Sequence, residues 1–494
     1  VMQGAGNLKY EDFPRLSLPL PKCNSEEAII PFSMIIEDSE YCHASYVYSM
    51  EKNNVSYAET LRRAIANQEK TLEQYRQESK GMVKELVAQF ERRKAAEEIR
   101  RERHKPSGEI NPDRLHQFKT HDDIFLRNLV RHEGKKHGMV MLIDWSGSMD
   151  VCLDGVVRQV LLLTWFCRKA KIPYEVFFYT ERSGFSKPEL RTNTAYPERM
   201  KELFNIDYKG KDDLAFSDVS LRQVFSSRMS DEEFAKMERI VWNVLGAHDR
   251  NDRDFQYVLG GITSPVMSLH GTPSCEAMMA IHDYIPKFRE ATGSQIVDFI
   301  FLTDGEPSGL CRDGNRAYIP LKSIRVQHMP TGRSLTVHAD KRGGVHSLNK
   351  EVQYFLADEI RKLGCVTVGF SIGGMSGISQ HFLNQFVLTS KNAVKTIQEA
   401  NDQFANFNAF YKKENFLPCA PELTPGFDEY YLVRPVKPTA TELDANINST
   451  NATLTKIRNS FLKSLTQRKC SRVFLSRFID LISGRKVQKF KIMG

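Results

Sequence analysis

The sequence predicts an α/β fold, a doubly wound and mostly parallel sheet with helices on both faces. Three observations lead there. Gly138–Asp144 (GMVMLID), Ile296–Thr303 (IVDFIFLT) and Cys365–Ile372 (CVTVGFSI) are near-continuous apolar runs of strand length, as parallel strands buried on both faces require. Helical patterns at 156–170 and 350–363 alternate with strand patterns, which implies crossover connections. With 494 residues, 41% hydrophobic and 26% charged, the chain can bury an ample core, and its balance excludes disordered, collagen-like and disulfide-scaffold classes.

In order along the chain, residues 1–56 alternate short apolar runs, such as Ile29-Ile30-Pro31-Phe32, with Pro and Asn. They read as an irregular or short-stranded segment packed on something else. From 57 to 104 Pro is absent, and apolar residues recur at Leu61, Ile65, Leu72, Tyr75, Met82, Leu86 and Phe90. Steps of three, four and seven put one stripe on a long helical arm, with Gly81 as a candidate kink. A connector to 136 follows, where Pro106-Ser107-Gly108 ends the arm and Asn111-Pro112-Asp113 opens a short helix.

The α/β domain proper is expected over 137–412, with Tyr174–Thr180 as its second strand. Two insertions interrupt it, at 182–260 and 310–349; segments this long fold locally, the second around a hairpin at Arg333–Val337. Phe386–Leu388 reads as a last short strand and Asn392–Tyr411 as a helix. The Pro-, Thr- and Asn-rich stretch 413–455 reads as a linker. Residues 456–494 read as a tail of amphipathic helices with a basic side.

The formal net charge is +8, but it is unevenly placed. The tail holds eleven Lys and Arg against Asp480 alone, a net +10 that leaves the other 455 residues at −2. A nucleic-acid function therefore attaches only to 456–494. No apolar run reaches the about 20 residues of a membrane span, and no leader pattern is visible. The nine cysteines are scattered, odd in number and without a C-x-x-C pair. They read as reduced thiols in a cytoplasm.

The strongest chemical signal is Asp144-Trp145-Ser146-Gly147-Ser148-Met149, directly after a core strand. D-x-S-x-S sets one carboxylate and two hydroxyls in a tight loop at the strand's carboxyl end, where open α/β sheets bind ligands. Hard oxygen ligands with little net charge suit Mg²⁺. Asp304 adds a second carboxylate after the strand 296–303, and Thr272 a third hydroxyl just before a helical run.

This arrangement resembles the metal-ion-dependent adhesion site of von Willebrand factor A domains. The resemblance implies that fold, Rossmann-like and doubly wound. It also implies that Asp144, Ser146, Ser148, Thr272 and Asp304 hold Mg²⁺ or another divalent cation, the hydroxyls directly and one or both carboxylates through water. The order of the charged arm, Gly108-Glu109-Ile110-Asn111-Pro112-Asp113-Arg114-Leu115, Asp123–Arg127 and LIDWSGSM is similar to the C-terminal part of CobT, the cobaltochelatase subunit, and its relatives, which also occur in bacteriophage genomes. The likeness covers about 80–180 and 255–410; the acidic low-complexity region typical of such subunits is absent.

What the resemblance implies is a non-enzymatic subunit in which a partner carboxylate completes the cation's shell. The implied partner is a MoxR-type AAA+ ATPase ring, CobS-like, in a chelatase-like or remodelling complex with a third subunit or substrate protein. The alternative is a structural or assembly protein, of viral type, that binds another chain through the same site without an ATPase. Hydrolytic readings are weaker. G-x-x-x-x-G-K-[ST] is absent, and His132-Glu133-Gly134-Lys135-Lys136-His137 spaces its histidines by five where zinc on one helical face needs four.

Overall fold

The computed structural model describes residues 15–20, 25–53, 55–101, 103–105, 128–130, 136–181, 219–249, 252–304, 307, 323–328, 331–338, 345–372, 416–419 and 424–433. The chain opens with β1 (Arg15–Leu20), α1 (Ser25–Ala28), β2 (Ile29–Ile30), α2 (Phe32–Asn53) and α3 (Val55–Arg101). A small pair, β3 (Arg103–Lys105) and β4 (Asn128–Val130), precedes β5 (His137–Asp144), α4 (Leu153–Ala170), β6 (Tyr174–Glu181) and β7 (Val219–Ser226). Next come α5 (Asp231–His248), α6 (Arg253–Ile262), α7 (Ser274–Thr292), β8 (Ile296–Thr303), β9 (Ser323–His328) and β10 (Arg333–His338). The last elements are α8 (Val345–Lys362), β11 (Cys365–Ile372), β12 (Phe416–Pro418) and β13 (Glu429–Val433).

Eight strands form one sheet in the order β12-β13-β11-β8-β5-β6-β7-β2. Every neighbouring pair is parallel except β12/β13 and β6/β7. Side-chain alternation along β5 shows why the runs are apolar throughout. Met139, Met141 and Ile143 enter one core with α3, α4 and α5, while Val140 and Leu142 enter a second core with α7 and α8. A period of two with both faces covered leaves no polar position inside the strand. The predicted α/β class with a mostly parallel sheet is therefore present. No helix among the described residues is long and apolar enough to cross a membrane.

The arm is one continuous helix of 47 residues, about 70 Å at 1.5 Å per residue, and it runs through Gly81 without a break. It is packed, not free: Leu61, Ala64, Leu72, Val83 and Phe90 are buried. Arg76 reaches Glu238, Thr71 receives the Trp242 indole N–H at 3.0 Å, and Tyr75 donates to the Arg158 carbonyl at 2.7 Å.

Three sequence readings are corrected. Residues 32–53, read as irregular, form a 22-residue helix. Pro31 lacks an N–H but supplies the carbonyl that Met34 and Ile35 donate to at 3.1 and 3.2 Å, so it starts the helix. The stretch 182–260 is no mere insertion: β7 is a fully buried sheet strand, and α5, opened by a Ser230–Glu233 capping box, covers it. Its strand signal is broken by Arg222 and Gln223, both buried. Within 413–455, β12 and β13 complete the sheet edge, with Phe427, Tyr430 and Tyr431 buried, so this part is core and not linker. The hairpin is present as β9–β10, joined in parallel by β1. The readings at Phe386–Leu388, Asn392–Tyr411, Asn111–Asp113 and 456–494 lie outside the described residues.

Candidate metal centre

The site is built from loops that leave the carboxyl ends of β5 and β8. After Asp144, the ladder continues for one residue, Trp145 N–H donating to the Tyr179 carbonyl at 2.9 Å. The Trp145 ring stacks on Phe178 at 4.1 Å, and its indole N–H donates to the Met267 carbonyl at 2.8 Å. With that anchor buried, the chain turns sharply into a 3-10 turn, Gly147–Val151. Gly147 N–H donates to the His270 carbonyl at 2.8 Å and His270 N–H to the Trp145 carbonyl at 3.3 Å. These bonds form a parallel bridge between Ser146 and His270.

That bridge brings in the loop carrying Thr272, two residues further on. Thr180 Oγ1 donates to the Gly271 carbonyl at 3.2 Å, and Arg222 donates to the Ser268 carbonyl at 2.7 Å from a fully buried position. Burial pushes the Arg222 guanidinium well below its ordinary range. The Thr272 carbonyl receives the Ser274 N–H at 2.8 Å as α7 begins.

Of the other four, Ser146, Ser148 and Asp304 meet through side chains, and Asp144 is held close to them by Thr303. Ser148 Oγ donates to Asp304 Oδ1 at 2.8 Å, Ser146 Oγ lies 3.0 Å from Ser148 Oγ and 3.5 Å from the same Asp304 oxygen. Thr303 Oγ1 donates to Asp144 Oδ2 at 2.7 Å. Asp144 is fully buried, and its Oδ1 has no hydrogen-bond partner. Burial and then the Asp304 charge push the Asp144 carboxyl up to about 7, against the pull of hydroxyls on Thr303, Ser146 and Tyr179. Burial raises Asp304 as well, opposed by Ser148. Two carboxylates held together in low dielectric, one with a buried bare oxygen, are costly without a cation between them.

The donor chemistry fits a hard ion. The candidate set is two carboxylates with hydroxyls, Asp144 and Asp304 with Ser146, Ser148 and Thr272, and hard oxygen donors of this kind suit Mg²⁺. Cys152, at the end of the turn, is pushed up to about 12 by burial and by Asp304 and Asp144, and stays a thiol. His137 is far along β5 from Asp144, at the strand's start, with Nδ1 3.3 Å from Asp298; His132 lies outside the described residues.

Four contributors were not singled out from the sequence. Thr303 orients Asp144 and was signalled only by its place before Asp304. Tyr179 flanks the carboxylate from the end of β6. Arg222 and His270 hold the Thr272 loop, and nothing in their sequence surroundings marks them. No known protein family, curated protein or solved structure matches this chain.

Proposed function

We propose that the chain is a metal-dependent protein-interaction subunit of von Willebrand A type, related to the CobT-like group. Mg²⁺ would sit among Asp144, Ser146, Ser148, Thr272 and Asp304, with one coordination position open to a partner's Asp or Glu. The observation that carries this reading is the partnerless Asp144 Oδ1, buried within reach of Asp304's field. A divalent cation satisfies that oxygen and reverses the repulsion between the two carboxylates. Val151, at the end of the same turn, is 64% exposed and offers an incoming chain an apolar contact.

The proposed partner is a MoxR-type AAA+ ATPase ring, with this chain acting as a non-enzymatic adaptor in the cytoplasm. Six described cysteines are free thiols, which supports a reducing compartment. The test is capture of such a ring by the full chain in Mg²⁺, in EDTA, and with Asp144→Ala. Capture that needs both the cation and Asp144 supports the proposal. Capture that ignores both removes the metal bridge, and capture of assembly proteins with no ATPase activity replaces the ring by a structural partner.

A further inference from the structure

The opposite edge of the sheet, where β6 starts and β7 ends, opens into a cleft of about 870 Å³. Cations reach it from three directions: Arg76 and Lys80 on α3, Arg168, Lys169 and Lys171 at the end of α4, and Arg228 after β7. A helix carboxyl terminus attracts cations of its own last turn. That accounts for Arg168 and Lys169 but not for side chains arriving from α3 and from the β7 turn.

The arginines are already engaged. Arg76 pairs with Glu238 at 2.7 Å, Arg168 with Asp231, and Arg228 with Glu175 at 3.2 Å. The lysines are not. Lys80, Lys169 and Lys171 are exposed and enter no ion pair among the described residues, Lys80 adding only a longer-range attraction to Glu73. Lys171 is also the one non-glycine residue with positive φ, 55°, among the described residues. It occupies the left-handed C-cap of α4, where glycine is usual and a side chain costs about 1 kcal/mol.

The floor between these cations is apolar, made by Val83, Ile172, Pro173, Met229 and Phe234. Its rings are poorly placed for stacking bases. Arg168 covers the Phe234 face at 4.4 Å, Tyr75 packs on Trp165 at 5.5 Å, and Tyr174 is fully buried. A single-strand platform needs open ring faces in series. The segment 456–494 carries a net +10, the same sign as these lysines, and its charge does not complement the cleft.

We propose that this cleft binds an acidic, apolar-anchored peptide segment of a partner protein. Its Leu or Phe side chains lie on the floor, and its carboxylates meet Lys80, Lys169 and Lys171. This surface is separate from the metal centre and works without a cation.

The chain holds three tryptophans; Trp145 and Trp242 are buried, and half-buried Trp165 lines the cleft. Trp165 is therefore the natural reporter. The full chain is titrated in EDTA with a synthetic peptide alternating Asp or Glu with Leu and Phe, while acrylamide quenching is followed. Shielding of the tryptophan signal that is lost in Trp165→Phe, with an affinity that weakens about tenfold or more in Lys80→Glu/Lys169→Glu/Lys171→Glu, supports the proposal, with melting curves confirming that the variants are folded. No shielding, or equal affinity in the triple variant, overturns it. Equal binding of polyglutamate overturns the apolar anchoring, and tighter binding of oligothymidylate through the same lysines reassigns the cleft to nucleic acid.

Discussion

Thr303 Oγ1 donates to Asp144 Oδ2 at 2.7 Å, and this one bond divides the carboxylate into a satisfied oxygen and a bare one. Asp144→Asn keeps the shape while removing the charge. The native carboxyl, raised to about 7 from 3.8, binds more protons than the unfolded one between those values. Its contribution to stability therefore falls as pH rises through that window. At about pH 8, without metal, the variant is expected to be more stable than the parent by about 1–2 kcal/mol. Saturating Mg²⁺, at about 100 times its Kd, adds about 2.7 kcal/mol to the parent and nothing to the variant. Thermal melts with Mg²⁺ and with EDTA check this; an equal Mg²⁺ shift in both proteins would sink the site.

Glu238 is almost wholly buried and accepts from both the Trp165 indole and Arg76. Burial raises its carboxyl, while Trp165 and Arg76 pull it back. Arg76→Ala strands the charge and should cost about 2 kcal/mol at neutral pH. Removing Arg76 raises the folded value further, so the native state holds extra protons from the ordinary 4.5 upward, and stability falls more steeply with rising pH than in the parent. Urea midpoints at about pH 5 and pH 8 read the difference, which is expected to be smaller at the acidic end.

Lys171→Gly separates two effects at one position. Glycine relieves the φ of 55° and should stabilise the fold by about 0.5–1 kcal/mol. The same change removes a cation from the cleft and weakens the acidic peptide. A variant that melts higher yet binds less supports both statements, and a lower melting point contradicts the backbone account.

Gly426 has φ of +95°, and a Cβ there would lie 2.3 Å from the Tyr354 carbonyl and 2.5 Å from the Asp358 nitrogen. Neither neighbour is a flexible side-chain end. Gly426→Ala is expected to cost about 3 kcal/mol, measured by chemical denaturation. A near-neutral effect would mean that 424–433 is not packed in the sheet.

The parts of the fold legible in the sequence are those where burial on both faces forces an unbroken apolar run, as in β5, β8 and β11. β7 escaped because its interior carries Arg222 and Gln223, and their solution is tertiary: the Ser268 carbonyl for one and the Glu175 carboxylate for the other. β13 escaped because five residues among Pro and Thr are too short to show a period. α2 was obscured by aromatic and small polar residues whose fit depends on α3 and β7. At the site, Asp144, Ser146 and Ser148 are local in sequence and readable as a turn, and Asp304 follows from its place after a strand. Thr272 was offered by its place just before a helical run and joined to the others by the family resemblance, since its approach depends on the His270 bridge, a contact between distant loops that leaves no local pattern.

That bridge joins parts of the candidate site that lie far apart along the chain. The oxygens come from 144–148, 272 and 304, and Asp304 arrives only when β8 has entered the sheet between β5 and β11. No early fragment of the chain carries the complete set, and loop closure over such separations waits for the sheet itself. If the proposed cation binds there, its capture would mark maturity: a half-made or misassembled copy would offer only part of the ligand set, and a partner docking through the ion would favour finished molecules.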